Sequence, residues 1–136
     1  MALPTKIALQ IVTPIQRFEH QVDEVVLPGV EGEFGVLPGH TPLLAVLQTG
    51  RMWFRVGKDK HFLAVSMGFA EVLPDRVTVL AQVAEEAERL DVARAEEGMK
   101  RAEEMLPATG LEIDFERARL ALLRTLQDLR SEGRNL

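Results

Sequence analysis

Short segments in which apolar side chains recur at every second position fill the first part of the chain. Ile7, Leu9 and Ile11 begin this pattern, which returns at residues 52–56 and 77–83. That period is typical of β-strands, because successive side chains point to opposite faces. Turn residues separate the segments near positions 14, 28, 38, 57 and 74. Short strands at this spacing predict a β-sandwich or barrel, and strands that are apolar on both faces favour two packed sheets.

From Glu85 onward the pattern becomes helical. Strong helix formers dominate, and no proline occurs between Glu85 and Pro107. We predict helices over residues 92–106 and 115–131, joined by a breaker at 107–110. Apolar residues at 115, 118, 122, 126 and 129 give the second helix one apolar stripe. The predicted fold is α+β, with a two-sheet β-sandwich over residues 1–84 and an antiparallel α-helical hairpin over 85–136.

The segment 25–44, VVLPGVEGEFGVLPGHTPLL, is dense in turn residues. Two apolar runs each end at a Pro-Gly pair, and glycines also occur between the pairs. Pro fixes φ, and Gly accepts the positive φ that a type II turn needs. We predict a turn at each pair, with a folded-back β-ribbon between them and an acidic tip, Glu31-Gly32-Glu33. The predicted structural turn residues are Gly29, Gly32, Gly35, Pro38, Gly39 and His40.

No arrangement of residues in the sequence indicates catalysis. The three histidines lack metal-ligand spacing, and no serine lies in a nucleophile motif. The glycines at 29, 32 and 35 do not form a dinucleotide site, because a strand and a turn follow them instead of a helix. A single histidine after a turn, such as His40, more often holds the scaffold than transfers protons. We therefore expect no catalytic residue, no metal site and no required cofactor.

Composition narrows the class of partner. The net charge is −5, which argues against nucleic acid binding, and cysteine is absent. No apolar run approaches the roughly 20 residues that cross a bilayer, and the first residues, MALPTKIALQIV, do not form a signal peptide. We expect a soluble cytoplasmic protein without direct membrane insertion, so any membrane association goes through a protein partner.

The hairpin contains a repeated motif. Leu90-Asp91-x-x-Arg94-Ala95 recurs as Ile113-Asp114-x-x-Arg117-Ala118, and Arg101 and Arg124 keep the same offset. Each Asp is suited to cap a helix, and each Arg three residues later can pair with it. Capping leaves the arginine ten residues past each Asp unexplained.

The Pro-Gly segment followed by a helical hairpin resembles the epsilon subunit of the F-type proton-translocating ATP synthase, over nearly the whole chain. The resemblance implies a non-catalytic rotor subunit of the central stalk, which couples rotation of the membrane ring to ATP synthesis. Its partners would be the gamma (shaft) subunit, the ring subunits and, in an inhibited state, the alpha and beta catalytic subunits. It would lie peripherally at the cytoplasmic face of the inner (plasma) membrane.

The acidic tip has two interpretations. From the residues alone, Glu31 and Glu33 are most simply a solvated turn. The resemblance implies that this tip faces basic side chains of the ring, and Glu33 matches the position best known for that contact. A carboxylate opposite an arginine forms charge-assisted hydrogen bonds.

The Leu90-Asp91 motif resembles the Ile/Leu-Asp-x-x-Arg-Ala motif of bacterial epsilon subunits that bind ATP. The resemblance implies ATP as a regulatory ligand, held between the helices by Arg94, Arg101 and Arg124. One departure opposes binding, because Asp128 stands where the ATP-binding relatives carry another arginine. The full set of candidate nucleotide residues is Glu85, Leu90, Asp91, Arg94, Ala95, Arg101 and Arg124.

The arginines of the second helix also have two interpretations. Arg117, Arg119 and Arg124 suit a solvated face with intrahelical ion pairs. The resemblance implies that this helix can extend along the shaft and contact acidic residues of the catalytic subunits, which inhibits ATP hydrolysis. Two alternatives remain open at this point: a free-standing ATP-sensing module, and an adaptor whose hairpin never moves.

Overall fold

A computed structural model describes residues 4–87, 92–105 and 115–133. In the described residues, ten strands precede two helices. The strands are β1 (Ile7–Val12), β2 (Arg17–Val22), β3 (Glu24–Gly29), β4 (Gly32–Val36), β5 (Leu43–Leu47), β6 (Gly50–Val56), β7 (Asp59–Val65), β8 (Gly68–Leu73), β9 (Arg76–Ala81) and β10 (Ala84–Glu86). The helices are α1 (Val92–Met105) and α2 (Phe115–Gly133), close to their predicted ranges.

The strands form one folded-over sheet. Its order is β10-β7-β6-β3-β5-β8-β9-β1-β2, and β4 pairs with β3. The pair β1–β9 is parallel, and the other pairs are antiparallel. Strand β3 turns the corner, because its residues Glu24–Val26 pair with β6 whereas Gly29 pairs with Leu47 of β5. The predicted sandwich is confirmed, with hydrogen bonding continuous between its two layers.

The core lies between the two layers. Ile7, Leu9 and Ile11 of β1 are fully buried, as are Val77 and Val79 of the parallel neighbour β9. Their alternation with more exposed residues is the period-2 pattern of the sequence. Burying these aliphatic side chains stabilises the sandwich by about 1.5–3 kcal/mol for each.

The first Pro-Gly turn was predicted wrongly. Pro28 and Gly29 are buried strand residues at the end of β3, and the turn consists of Val30 and Glu31. Gly29 pairs with Gly32, and a Cβ on Gly29 would lie 2.8 Å from the Gly32 carbonyl oxygen. The glycine is therefore needed for the close approach of two strands, which the sequence does not distinguish from a turn.

The second Pro-Gly pair forms the predicted turn. The Pro38 and Gly39 residues lie in a turn in which the His40 N–H donates to the Leu37 carbonyl at 3.2 Å. Gly39 has φ +87°, which L side chains rarely adopt. The Gly39 N–H also donates to the Pro74 carbonyl at 2.7 Å, which ties this turn to the β8–β9 turn.

The hairpin is folded compactly against the sandwich. Ala118, Leu122, Leu126 and Leu129 of α2 are buried, which confirms those members of the predicted stripe. They form a second core with Ala95 and Met99 of α1 and with Ala64 and Val83 of the sandwich. Strand β10 continues the sheet past the expected boundary at residue 84, because Glu85 and Glu86 pair with Ala64 and Leu63 of β7.

Asp23 joins three loops at one end of the sandwich. Its carboxylate accepts from Lys6 Nζ at 2.5 Å and from the Gly57 N–H at 2.7 Å. The hydrogen bond from Lys6 has the larger effect and that from Gly57 the smaller, and both lower the pKa of Asp23 below its ordinary value. The pair is exposed, so it contributes to the alignment of the loops more than to overall stability.

Candidate functional site

The predicted acidic tip lies at the exposed β3–β4 hairpin, whose two turn residues are Val30 and Glu31. Glu31, Gly32 and Glu33 are exposed, and Val30 at the turn is 55% exposed. The Val30 N–H donates to the carbonyl of Val46 in β5 at 3.0 Å. The tip therefore offers two carboxylates and one apolar side chain from a position fixed by the sheet.

A row of exposed apolar side chains crosses the outer face of the sandwich. Val46, Phe69 and Leu80 are direct cross-strand neighbours on β5, β8 and β9, and each is about half exposed. Leu44, two residues before Val46, is 73% exposed. A contiguous exposed apolar surface is typical of a protein–protein contact. We refer to Leu44, Val46, Phe69 and Leu80 as the apolar row.

The sequence interpretation did not identify the apolar row. Strands that are apolar on both faces were taken as evidence for two packed sheets, and that explains only the inner faces. Phe69 and Leu80 could have revealed this surface, because a strand with one solvated face carries polar residues at its outward positions.

Glu85 and Arg94 form a two-pronged ion pair between the sandwich and the hairpin. Arg94 Nε donates to Glu85 Oε1 at 2.7 Å, and Nη2 donates to Oε2 at 2.6 Å. The Glu85 side chain is 3% exposed, whereas that of Arg94 is 36% exposed. When the Gln16 amide presents its oxygen to the guanidinium, it accepts from Arg94 Nε and Nη1 at 3.1 and 3.2 Å.

Arg94 and Arg101 line one small cavity between α1 and the sandwich. The cavity has a volume of about 10 Å³, room for about one water molecule, and its other walls include Glu85, Gln16 and Gly98. Among the described residues, Arg101 Nε is buried without a hydrogen-bond partner. The structure thus brings together three of the predicted nucleotide residues, in a space too small for a base or a triphosphate.

The other predicted nucleotide residues lie elsewhere. Arg124 is exposed on α2 and is not part of the cavity wall, as far as the described residues define it. Ala95 is fully buried against α2. Leu90 and Asp91 fall outside the described residues.

The arginines predicted for inhibitory contact are exposed, but they lie on two faces of α2. Arg117, Arg119 and Arg124 are all exposed on α2, and Leu120 between them is 55% exposed. The buried stripe of the same helix points to the sandwich. Arg117 and Arg124 are seven residues apart and share one face of the helix, whereas Arg119 lines a groove with Lys100 and Glu103 of α1. Exposed arginines on a docked helix can attract an acidic partner over a long range.

The histidines lie in scaffold positions. His40 donates from Nδ1 to the Thr41 carbonyl at 2.7 Å. The rings of His20 and His61 each stack with that of Phe54 on β6, with ring centroids 5.0 Å apart. Within the described ranges there is no cluster of three potential metal ligands. None of the helices in those ranges is long and apolar enough to span a bilayer.

Comparison with known proteins gives a consistent family. The model of the ATP synthase delta/epsilon chain β-sandwich domain matches residues 6–87. The chain is 48% identical to the ATP synthase epsilon chain of Syntrophobacter fumaroxidans, over 92% of this chain and 94% of the relative. It is 52% identical to that of Dehalococcoides mccartyi, over 72% and 71% of the two chains.

Solved structures agree with this comparison. A chain in the mitochondrial ATP synthase of Euglena gracilis, described as OSCP/F1/c-ring, has a TM-score of 0.68 and 26% identity, and the match covers 94% of this chain and 83% of that one. A central stalk/c-ring structure from Tetrahymena thermophila shares the fold at a TM-score of 0.57 and 12% identity, over 96% and 98% of the two chains. The chain therefore belongs to the ATP synthase epsilon-chain family, as a non-catalytic subunit of the central stalk.

Proposed function

We propose that this chain transmits rotation between the membrane ring and the gamma (shaft) subunit of a proton-translocating ATP synthase. One observation carries the proposal: the hairpin that bears the acidic tip is hydrogen-bonded to β5, the strand that carries part of the apolar row. Val46 belongs to the apolar row, and its carbonyl accepts the hydrogen bond from Val30 at the tip. A load applied at one surface therefore reaches the other through a few rigid strands. The subunit would lie at the cytoplasmic face of the inner membrane, attached through its protein partners.

The apolar row is the proposed contact with the shaft. Apolar side chains buried in the centre of an interface supply most of the binding free energy. Phe69→Asp should weaken binding of the full chain to purified gamma subunit by at least about tenfold. Val56→Asp is the matched control, because Val56 is 39% exposed but lies outside the row. Equal weakening by both variants would contradict the assignment of this surface.

The acidic tip is the proposed contact with the ring. Glu31 and Glu33 would pair with basic side chains of the ring loops, and exposed pairs contribute about 0–1 kcal/mol each. A double variant that carries Glu31→Gln and Glu33→Gln should still assemble, because these pairs add little to the affinity. It should reduce ATP-driven proton pumping more than it reduces assembly. Pumping by the wild type should fall as salt rises, because exposed ion pairs are screened, and pumping by the double variant should depend less on salt. Unchanged pumping in reconstituted vesicles at all salt concentrations would refute the contact.

The hairpin is the proposed regulatory element. The compact form would permit hydrolysis, and an extended form would place Arg117, Arg119 and Arg124 against acidic residues of the alpha and beta subunits. The exposed apolar Leu120 beside these arginines supports a surface that binds in a second position. Replacing the three arginines by glutamine should raise the ATPase rate of the assembled complex under inhibiting conditions. An unchanged rate would favour an adaptor with a fixed hairpin.

ATP is the proposed ligand that biases the hairpin towards the compact form, because a ligand shifts two states only through different affinities for them. Calorimetric titration of the isolated chain with magnesium and ATP tests this, with Arg124→Gln as the informative variant. Arg124 is exposed and takes no part in the Glu85–Arg94 pair, so its replacement removes a candidate phosphate-binding side chain and should leave the docked hairpin intact. Saturable binding that this variant loses supports the proposal, and no heat at millimolar ATP refutes it. ATP binding with no affinity for other ATP synthase subunits would favour the free-standing sensing module.

A further inference from the structure

We infer that the Glu85–Arg94 pair is a nucleotide-independent latch that holds α1 on the last strand of the sandwich. The inference rests on the proposed function only in that the hairpin is taken to leave the sandwich. It assigns Glu85 and Arg94 to the docked state itself, before any ligand binds. Gln16, in the loop between β1 and β2, adds a third element to the latch when its amide oxygen faces the guanidinium of Arg94.

The geometry of the pair is that of a strong ion pair. Both carboxylate oxygens of Glu85 accept from a different nitrogen of Arg94, at 2.7 and 2.6 Å. Such parallel hydrogen bonds between charged groups fix orientation as well as distance. Glu85 lies on β10, which pairs with β7 at Ala64, so the acceptor is held by the sheet.

The burial of Glu85 means that the docked hairpin depends on a partner for this carboxylate. The Glu85 side chain is 3% exposed, and a buried carboxylate without a partner is strongly disfavoured. If Arg94 is removed, the docked hairpin keeps this charge away from water, whereas the undocked hairpin allows it to hydrate. The loss of Arg94 therefore favours the undocked state. Because the Arg94 side chain is 36% exposed, water screens part of the interaction and the effect is smaller than for a fully buried pair.

The latch also changes what a phosphate ligand must do. Two of the three guanidinium nitrogens of Arg94 already donate to Glu85. A phosphate that binds Arg94 must displace that carboxylate or tolerate its negative charge at close range. The adjoining cavity of about 10 Å³ does not admit a phosphate group without movement of α1. Compact docking therefore does not need the nucleotide, and a nucleotide that binds Arg94 favours the compact form only if its contacts outweigh the Glu85 hydrogen bonds that it displaces.

The test is amide hydrogen exchange of the full chain in the absence of nucleotide, compared between α1 and the sandwich strands. Arg94→Gln and Glu85→Gln should each speed exchange in α1 by about tenfold or more. The double variant should be no faster than the faster single variant, because two neutral amides leave no unpaired charge. Lys100→Gln is the matched control, since it removes one exposed positive charge from the same helix and should leave exchange unchanged.

The intrinsic fluorescence of Trp53 gives an independent readout. It is the only tryptophan in the sequence, and its ring lies 6.4 Å from that of Phe62, which packs against the hairpin core. The two latch variants should shift its emission, and Lys100→Gln should not. Glu85→Gln could disturb β7 directly, because Glu85 pairs with Ala64 of that strand. If exchange in β7 also becomes faster in this variant, the latch is judged from Arg94→Gln alone, because that substitution lies on α1.

Wild-type exchange in both single variants would overturn the latch, as would equal effects from Lys100→Gln or additive effects in the double variant. Failure of the regulatory proposal gives a different result. In that case the latch variants open the isolated chain, but the ATPase rate of the assembled complex does not respond to them.

Discussion

Gly98 lies where α1 closely approaches the sandwich, and its replacement by alanine tests the docking of the hairpin. A Cβ added at Gly98 would lie 2.6 Å from Val83 Cγ2. Apolar carbons at rest are about 3.5–4.0 Å apart, so the helix and the sandwich would have to separate by about 1 Å. Val83 is 4% exposed and branched at Cβ, so it cannot simply rotate away.

Two effects of Gly98→Ala have to be considered, and only one of them changes the docking equilibrium. Alanine stabilises a helix by about 1 kcal/mol relative to glycine, but a helical α1 gains this whether docked or undocked. Overpacking costs about 1–3 kcal/mol, and only the docked state experiences it. We therefore expect Gly98→Ala to shift the docking equilibrium towards the undocked hairpin by about 1–3 kcal/mol, or roughly 5- to 150-fold.

A double-variant cycle isolates this contact. Hydrogen exchange of α1 and Trp53 emission should report undocking in Gly98→Ala, while the exposed control Glu97→Ala leaves both unchanged. Adding Val83→Ala removes the overlapping methyl groups, so the double variant should be more stable than the sum of the single effects by about 1 kcal/mol or more. Strictly additive effects, or tighter docking in Gly98→Ala, would refute the reasoning.

Three further predictions concern the docking of the hairpin and the stability of the sandwich. Leu126→Ala, at a fully packed position of α2, should weaken hairpin docking by about 2–5 kcal/mol, seen as faster exchange in both helices with the sandwich strands unaffected. Gly39→Ala should destabilise the sandwich by about 1–2 kcal/mol in urea unfolding, because φ is +87° there. Asp23→Asn should lower stability at neutral pH, and its difference from wild type should vanish as pH falls through the lowered folded-state pKa. A difference that persists in acid would contradict the assigned pKa direction.

Local patterns in the sequence determined the elements of this protein. The period of two at Ile7, Leu9 and Ile11 and the stripe from Ala118 to Leu129 each depend on neighbours a few residues away. The Pro38-Gly39 turn was predictable for the same reason, since proline and glycine restrict their own backbone. The exposure of Glu31 followed from its place in a short turn, whereas Glu33 lies on strand β4.

Only the tertiary structure decided which surfaces and pairs these elements make. Pro28 and Gly29 extend β3 because Gly32 and β5 lie beside them, a condition that no local pattern carries. The Glu85–Arg94 pair and the fit of Gly98 against Val83 depend on how the hairpin docks. The apolar row depends on which face of β8 and β9 turns outward. Sequence periodicity encodes the faces of single elements, whereas contacts between distant segments appear only when those faces are packed together.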